Sequence, residues 1–204
     1  SVFSSLNISS SDKTESSGYE SSKTGFTLGT EFEQYESIFF SPSFSAVHEV
    51  INVESNSAAT LKKMDGNFTN LDFAYGITSD KRNQVFKPTA GHRTKFIQSL
   101  PILMDSSSIL NGLDISTYRT LSEDVIGSIK FLARSIHGVD NDDVRLTSRL
   151  YMPQKRLRGF DTRRTGPKDG SDYIGGNYAT ALGFEAQLPN LLPESTRTDV
   201  SVFL

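Results

Sequence analysis

Leu71-Asp72-Phe73-Ala74-Tyr75-Gly76-Ile77-Thr78 decides the fold. Leu71, Phe73, Tyr75 and Ile77 occupy one parity, and Asp72, Ala74, Gly76 and Thr78 the other. Side chains of a strand point alternately to its two faces, so this run is a strand with one greasy face and one small or polar face. Tyr178 to Leu188 repeats the pattern, with Tyr178, Thr180, Leu182, Phe184, Ala186 and Leu188 set against Ala179, Ala181, Gly183, Glu185 and Gln187. Further runs carry Phe26, Leu28 and Phe32; Ile38, Phe40, Phe44 and Ala46; Leu113, Ile115 and Thr117; Ile129, Phe131 and Ala133; and Val200 and Val202, while 1–9 and 92–102 alternate less cleanly. Helical periodicity is hard to find. The chain reads as all-β, with about nine strands, several near the ~9–11 residues a tilted strand needs to cross a bilayer.

The faces decide between a membrane barrel and a soluble sandwich. A sandwich buries large side chains between two sheets, whereas a membrane barrel turns them outward to lipid and keeps small and polar residues inside. The second arrangement matches the chain, and the first stays open as a soluble binding module. Ser10 to Gly18, Ser-rich and charged, reads as part of a solvated loop over 9–25, and Asn52 to Gly66 as another; Leu103–Ser108 and Leu121–Asp124 read as short connections. Alternating long and short connections fit strands whose ends face two compartments.

Composition narrows the function. Of 204 residues 36% are hydrophobic, and no stretch approaches the ~20 apolar residues of a membrane helix, which leaves a barrel open. Lys and Arg number 21 against 24 Asp and Glu, a net charge of −3, so no global positive field exists to hold nucleic acid. The absence of cysteine removes disulfides, thiol nucleophiles and thiolate metal sites. His48, His92 and His137 are too scattered for a metal or triad motif, and Asp140-Asn141-Asp142-Asp143 lacks the glycine and glutamate of a calcium-binding EF-hand loop. No catalytic, cofactor or metal site is expected. The chain opens on Ser1 without a signal-peptide pattern, which suggests an excised segment.

The least typical stretch is Arg149 to Gly176. Lys155, Arg156, Arg158, Arg163, Arg164 and Lys168 face the single acid Asp161 between 155 and 168, a basic patch on an acidic chain. A connection this long is functional or disordered as a rule, and Gly159 with Phe160, a turn-former beside an apolar anchor, speaks for order.

These residues carry a resemblance. Leu157-Arg158-Gly159-Phe160 resembles the Arg-Gly-aromatic signature of the BamA family, the bacterial surface-antigen type of outer-membrane protein. Thr165-Gly166-Pro167-Lys168-Asp169 and Ile174-Gly175-Gly176-Asn177 resemble the elements that follow it, and Phe184-Glu185 through Leu188-Pro189 the next family strand. Upstream, Asp80-Lys81-Arg82 and Phe86-Lys87-Pro88-Thr89-Ala90-Gly91 are similar to the family's periplasmic turn. Tyr151-Met152-Pro153-Gln154 departs from the family's usual F-x-G-G.

The resemblance implies that 1–204 is part of one antiparallel transmembrane barrel of about sixteen strands in the bacterial outer membrane, with POTRA domains and the final strands outside this stretch. It implies a role in folding and inserting other barrel proteins, with unfolded outer-membrane proteins as clients, accessory assembly lipoproteins and outer-membrane lipid as partners, and no enzyme activity. A transporter of the same fold, as in two-partner secretion, is the alternative. The loop 149–176 is expected to fold into the lumen. There Arg158 needs a carboxylate, because an unpaired cation away from water is costly, and Glu185, on the small and polar parity, is the expected bidentate partner. Arg158, Gly159, Phe160 and Glu185 form the expected loop lock, and a second acid is expected beyond Leu204.

Overall fold

A computed structural model describes residues 1–13, 19–55, 57, 59–104, 108–139, 143–161, 163–192 and 200–204. Among the described residues twelve strands form, in chain order: β1 (Val2–Lys13), β2 (Tyr19–Thr30), β3 (Phe32–Tyr35), β4 (Ile38–Val53), β5 (Gly66–Asp80), β6 (Gly91–Met104), β7 (Ser108–Ser122), β8 (Val125–Gly138), β9 (Lys168–Asp169), β10 (Asp172–Tyr173), β11 (Tyr178–Leu188) and β12 (Val200–Phe203). One antiparallel sheet runs β1-β2-β4-β5-β6-β7-β8-β11-β12, with β3 paired to β4 and β9-β10 forming a separate small hairpin. The nine strands on the main path match the expected number. No second sheet lies on the oily face among the described residues, so a sandwich interior is not what collects the large side chains.

Register sorts the faces. Directly paired residues share a face, and the rows Phe44–Phe73–Leu100 and Ile77–Phe96–Leu113–Ala133 line the oily side. Phe44 with Phe73 and Phe73 with Tyr75 pack as tilted ring pairs at centroid separations of 5.1 and 6.2 Å, yet Phe44 stays 53% exposed and Leu182 58%. The other face carries Ser21, Gly76, Thr78, Gly112 and Ser128, all buried. Two prolines sit where a strand tolerates a missing N–H. Pro101 adjoins a bulge opposite Leu71 and Asp72, and Pro42 lies where the partner of β4 changes from β2 to β3.

Several expectations are corrected. The Ser-rich stretch is mostly strand: Ser9 pairs with Lys23, Ser10 with Ser22 and Ser11 with Ser21, leaving only 14–18, outside the described residues, between β1 and β2. Backbone pairing alone holds such a hairpin, so a polar sequence on both faces does not forbid it. The run holding Phe26, Leu28 and Phe32 is broken at Glu31 into β2 and β3. The short connections at Leu103–Ser108 and Leu121–Asp124 lie at opposite ends of the sheet, because β7 runs the whole way between them. The connection expected at 149–176 is also longer, spanning 139–177. Of the acidic run at 140–143, only Asp143 is described.

One row interrupts the oily face. The Tyr75 hydroxyl donates to Gln98 Oε1 at 2.8 Å, Gln98 Nε2 to Asn111 Oδ1 at 2.6 Å, and Asn111 Nδ2 to Ser135 Oγ at 3.5 Å, crossing β5, β6, β7 and β8. Along their own strands Gln98 sits between Phe96 and Leu100, and Asn111 between Ile109 and Leu113. An amide on an apolar surface is costly unless hydrogen-bonded, and the chain of donors meets that cost from strand to strand.

Candidate functional site

The described residues of the connection between β8 and β11 pack on the polar face. Leu150 and Gly176 exchange backbone hydrogen bonds at 2.8 and 2.9 Å, closing its stem, and β9 pairs with β10 at its far side. Gly175 adopts φ +70°, and a Cβ there would stand 2.9 Å from the Tyr151 ring, so only glycine lets that ring lie against the stem. Tyr151 in turn donates to the Tyr173 carbonyl at 2.9 Å and carries the Arg163 guanidinium 3.5 Å above its ring. Arg163 reaches the Tyr19 hydroxyl of β2 at 3.0 Å.

Gln154–Arg156 make one 3-10 turn, which brings Arg156 and Arg158 to the wall. Arg156 Nη2 meets Asp114 Oδ1 of β7 at 2.7 Å, while the other Asp114 oxygen takes Arg134 of β8. Arg158 Nη1 stands 3.8 Å from Glu185 Oε1, and its guanidinium lies 4.5 Å above the Phe203 ring. Glu185 has a closer partner in Lys130 Nζ of β8, at 2.5 Å. Two wall carboxylates thus each hold one wall cation and one loop cation.

The expected residues are therefore near one another, with a geometry that differs from expectation. Arg158 faces Glu185 through one contact rather than two. Gly159 has φ +85° with open space where a Cβ would stand, and Phe160 is 58% exposed. Glycine is needed there for the turn rather than for a close approach.

Other contacts were not read from the sequence. Val144, Arg145 and Leu146 precede the stretch expected to form the loop, and all three are buried. Leu146 joins Tyr19, Ile51 and Leu61 in an apolar cluster bordered by Val53, Met64, Phe68 and Ile174. Beside it Arg145 Nη1 lies 3.5 Å from Glu49 Oε2, Arg145 Nη2 donates to Asn70 Oδ1 at 2.9 Å, and the guanidinium stacks 4.1 Å over Phe68. Thr147 Oγ1 also donates to Glu49 Oε2, at 3.1 Å, and Lys23 Nζ lies 3.1 Å from Oε1. Apolar residues flanking a lone Arg were the available signal, masked by the acidic run just before them. Among the described residues no group of His, Asp or Glu is placed to hold a metal ion.

An antiparallel sheet with an oily outer face, a polar inner face and an ordered basic loop folded on that inner face defines the wall of an outer-membrane type of β-barrel with an internal loop. A family model described as the Omp85 superfamily domain matches residues 1–204, and the chain belongs to that superfamily. Its fold is similar to the structure titled "The crystal structure of BamA from Haemophilus ducreyi lacking POTRA domains 1-3", with a TM-score of 0.83 at 17% identity over 97% of this chain and 44% of that one. The chain thus spans less than half the length of that structure. No curated protein matches it.

Proposed function

We propose that this chain is part of an outer-membrane β-barrel assembly factor of the BamA type, working in the bacterial outer membrane to help other barrel proteins fold and insert. Residues 1–204 would form part of one barrel domain, with the loop from 139, including 149–176, inside the lumen. The supporting observation is the loop's seat: three of its arginines reach carboxylates on the polar face, Arg145 at Glu49, Arg156 at Asp114 and Arg158 at Glu185, while the oily face is left to lipid. In this reading the loop braces the wall, and Arg158, Gly159, Phe160 and Glu185 set where its tip rests. Chemistry on a substrate is not part of the mechanism. Unfolded barrel proteins are the clients, and a client strand can add to an open sheet edge through main-chain hydrogen bonds. Accessory lipoproteins and outer-membrane lipid complete the partners.

Depletion of the gene product in its own cell tests the reading. Assembly predicts that many barrel proteins fall together in the outer membrane and that full-length protein restores them. Loss of one secreted passenger, with other barrels unaffected, would assign the chain to two-partner secretion instead.

A further inference from the structure

The loop touches the polar face at two places of different character. At one, around Arg145, the side chains of Arg145 and Glu49 are 4% and 3% exposed, Thr147 shares the Glu49 carboxylate, and Leu146 is sealed in an apolar cluster with Tyr19, Ile51 and Leu61. Elements β2, β4 and β5 supply that seat. At the other, around Arg156 and Arg158, the partners lie on β7 and β11, the Arg156 and Asp114 side chains are 19% and 23% exposed, and Asp114 and Glu185 each hold a wall cation, Arg134 and Lys130, beside the loop's arginine. Withdrawing the tip leaves each wall carboxylate its wall cation at a partly exposed site, whereas withdrawing the Arg145 segment opens an apolar cluster and leaves the buried Glu49 with Lys23 alone of its three partners.

We propose that Arg145 and Glu49 are the fixed root of the internal loop, a positioning pair about which the Arg156–Phe160 tip can leave and regain the wall. The inference rests on the reading that 139–177 lies inside a barrel. It adds to that reading a division of labour between a holding segment, 144–150, and a releasable one, 155–160.

Hydrogen exchange followed by mass spectrometry on the full-length protein in lipid nanodiscs tests it, with peptides covering 144–150 and 155–160. The root peptide is expected to exchange at least about tenfold more slowly than the tip. Glu185→Gln should speed the tip alone, and Glu49→Gln should speed both, because a loop without its root holds its tip less often. Equal exchange of the two peptides in the unaltered protein, or a root unmoved by Glu49→Gln, overturns the proposal. Where exchange in β6 to β8 shows that Glu49→Gln has disturbed the barrel, Arg145→Lys is read instead. It keeps the charge and loses the planar stack on Phe68 and the Nη2 hydrogen bond to Asn70, so the root should loosen in part, and an unchanged root overturns the proposal. Exchange does not depend on assembly activity, so its failure is distinct from failure of the depletion experiment.

Discussion

Arg156 meets Asp114 at 2.7 Å, the shortest ion pair between loop and wall among the described residues, while Arg158, two positions on, stands 3.8 Å from Glu185. The motif arginine is therefore the looser of the two. Both Arg156 and Asp114 are mostly shielded from water, and Asp114 holds Arg134 as well. Removing the acid leaves two guanidinium groups facing each other. Asp114→Asn should lower folding stability by about 1–3 kcal/mol, between the values for exposed and fully buried pairs, and Arg158→Ala by no more than about 1 kcal/mol. Unfolding midpoints in denaturant with lipid present, read for both variants, check the order.

The hydrogen-bonded row on the oily face gives a sign test. Asn111→Leu leaves Gln98 Nε2 without its acceptor on an apolar surface, a loss of about 1–3 kcal/mol, while the double variant Gln98→Leu with Asn111→Leu removes both amides and should recover part of it, the Tyr75 hydroxyl then lacking the Gln98 acceptor. A double-mutant cycle measures the coupling, with a value near zero contradicting it.

Two glycines of the loop should respond differently to alanine. Gly175→Ala brings strain at φ +70° and a collision with Tyr151, whereas Gly159→Ala brings strain at φ +85° alone. Positive φ costs about 1 kcal/mol for alanine, so Gly159→Ala should lose about that and Gly175→Ala clearly more. Thermal unfolding of the two variants, compared by gel mobility, decides it.

The turn between β5 and β6 is held by Arg82, whose Nε and Nη2 meet the two Asp80 oxygens at 2.7 and 2.6 Å and whose Nη1 reaches the Val85 carbonyl at 3.3 Å. Val85 and Phe86 at its tip are 78% and 79% exposed. Arg82→Ala should therefore admit protease at Phe86 at least about tenfold faster, with stability lowered by only about 1 kcal/mol. Phe86→Ser should stay within about 0.5 kcal/mol of the parent.

Alternation at period two was enough to find the class and the number of main strands, because an antiparallel wall with unlike faces writes itself into the sequence residue by residue. Boundaries were less legible. The hairpin of β1 and β2 continues through Ser9, Ser10 and Ser11, where neither face is greasy and the pattern vanishes although the pairing does not. The same blindness hid Arg145, since the acidic run Asp140-Asn141-Asp142-Asp143 before it carries no alternation. Within the site, Arg158 and Glu185 were paired by parity and motif, but parity says only which face a residue is on.

What the sequence determined by itself is the two-faced sheet and the presence of a basic, glycine-bearing loop, both set by neighbours a few residues apart. Which carboxylate holds which cation was decided only by the tertiary structure. Asp114, Glu185 and Glu49 lie on three separate strands, and the order and register of the sheet, together with the path of the loop across it, choose their partners. Charge attracts any opposite charge within reach, so reach, which only the folded chain defines, makes the choice.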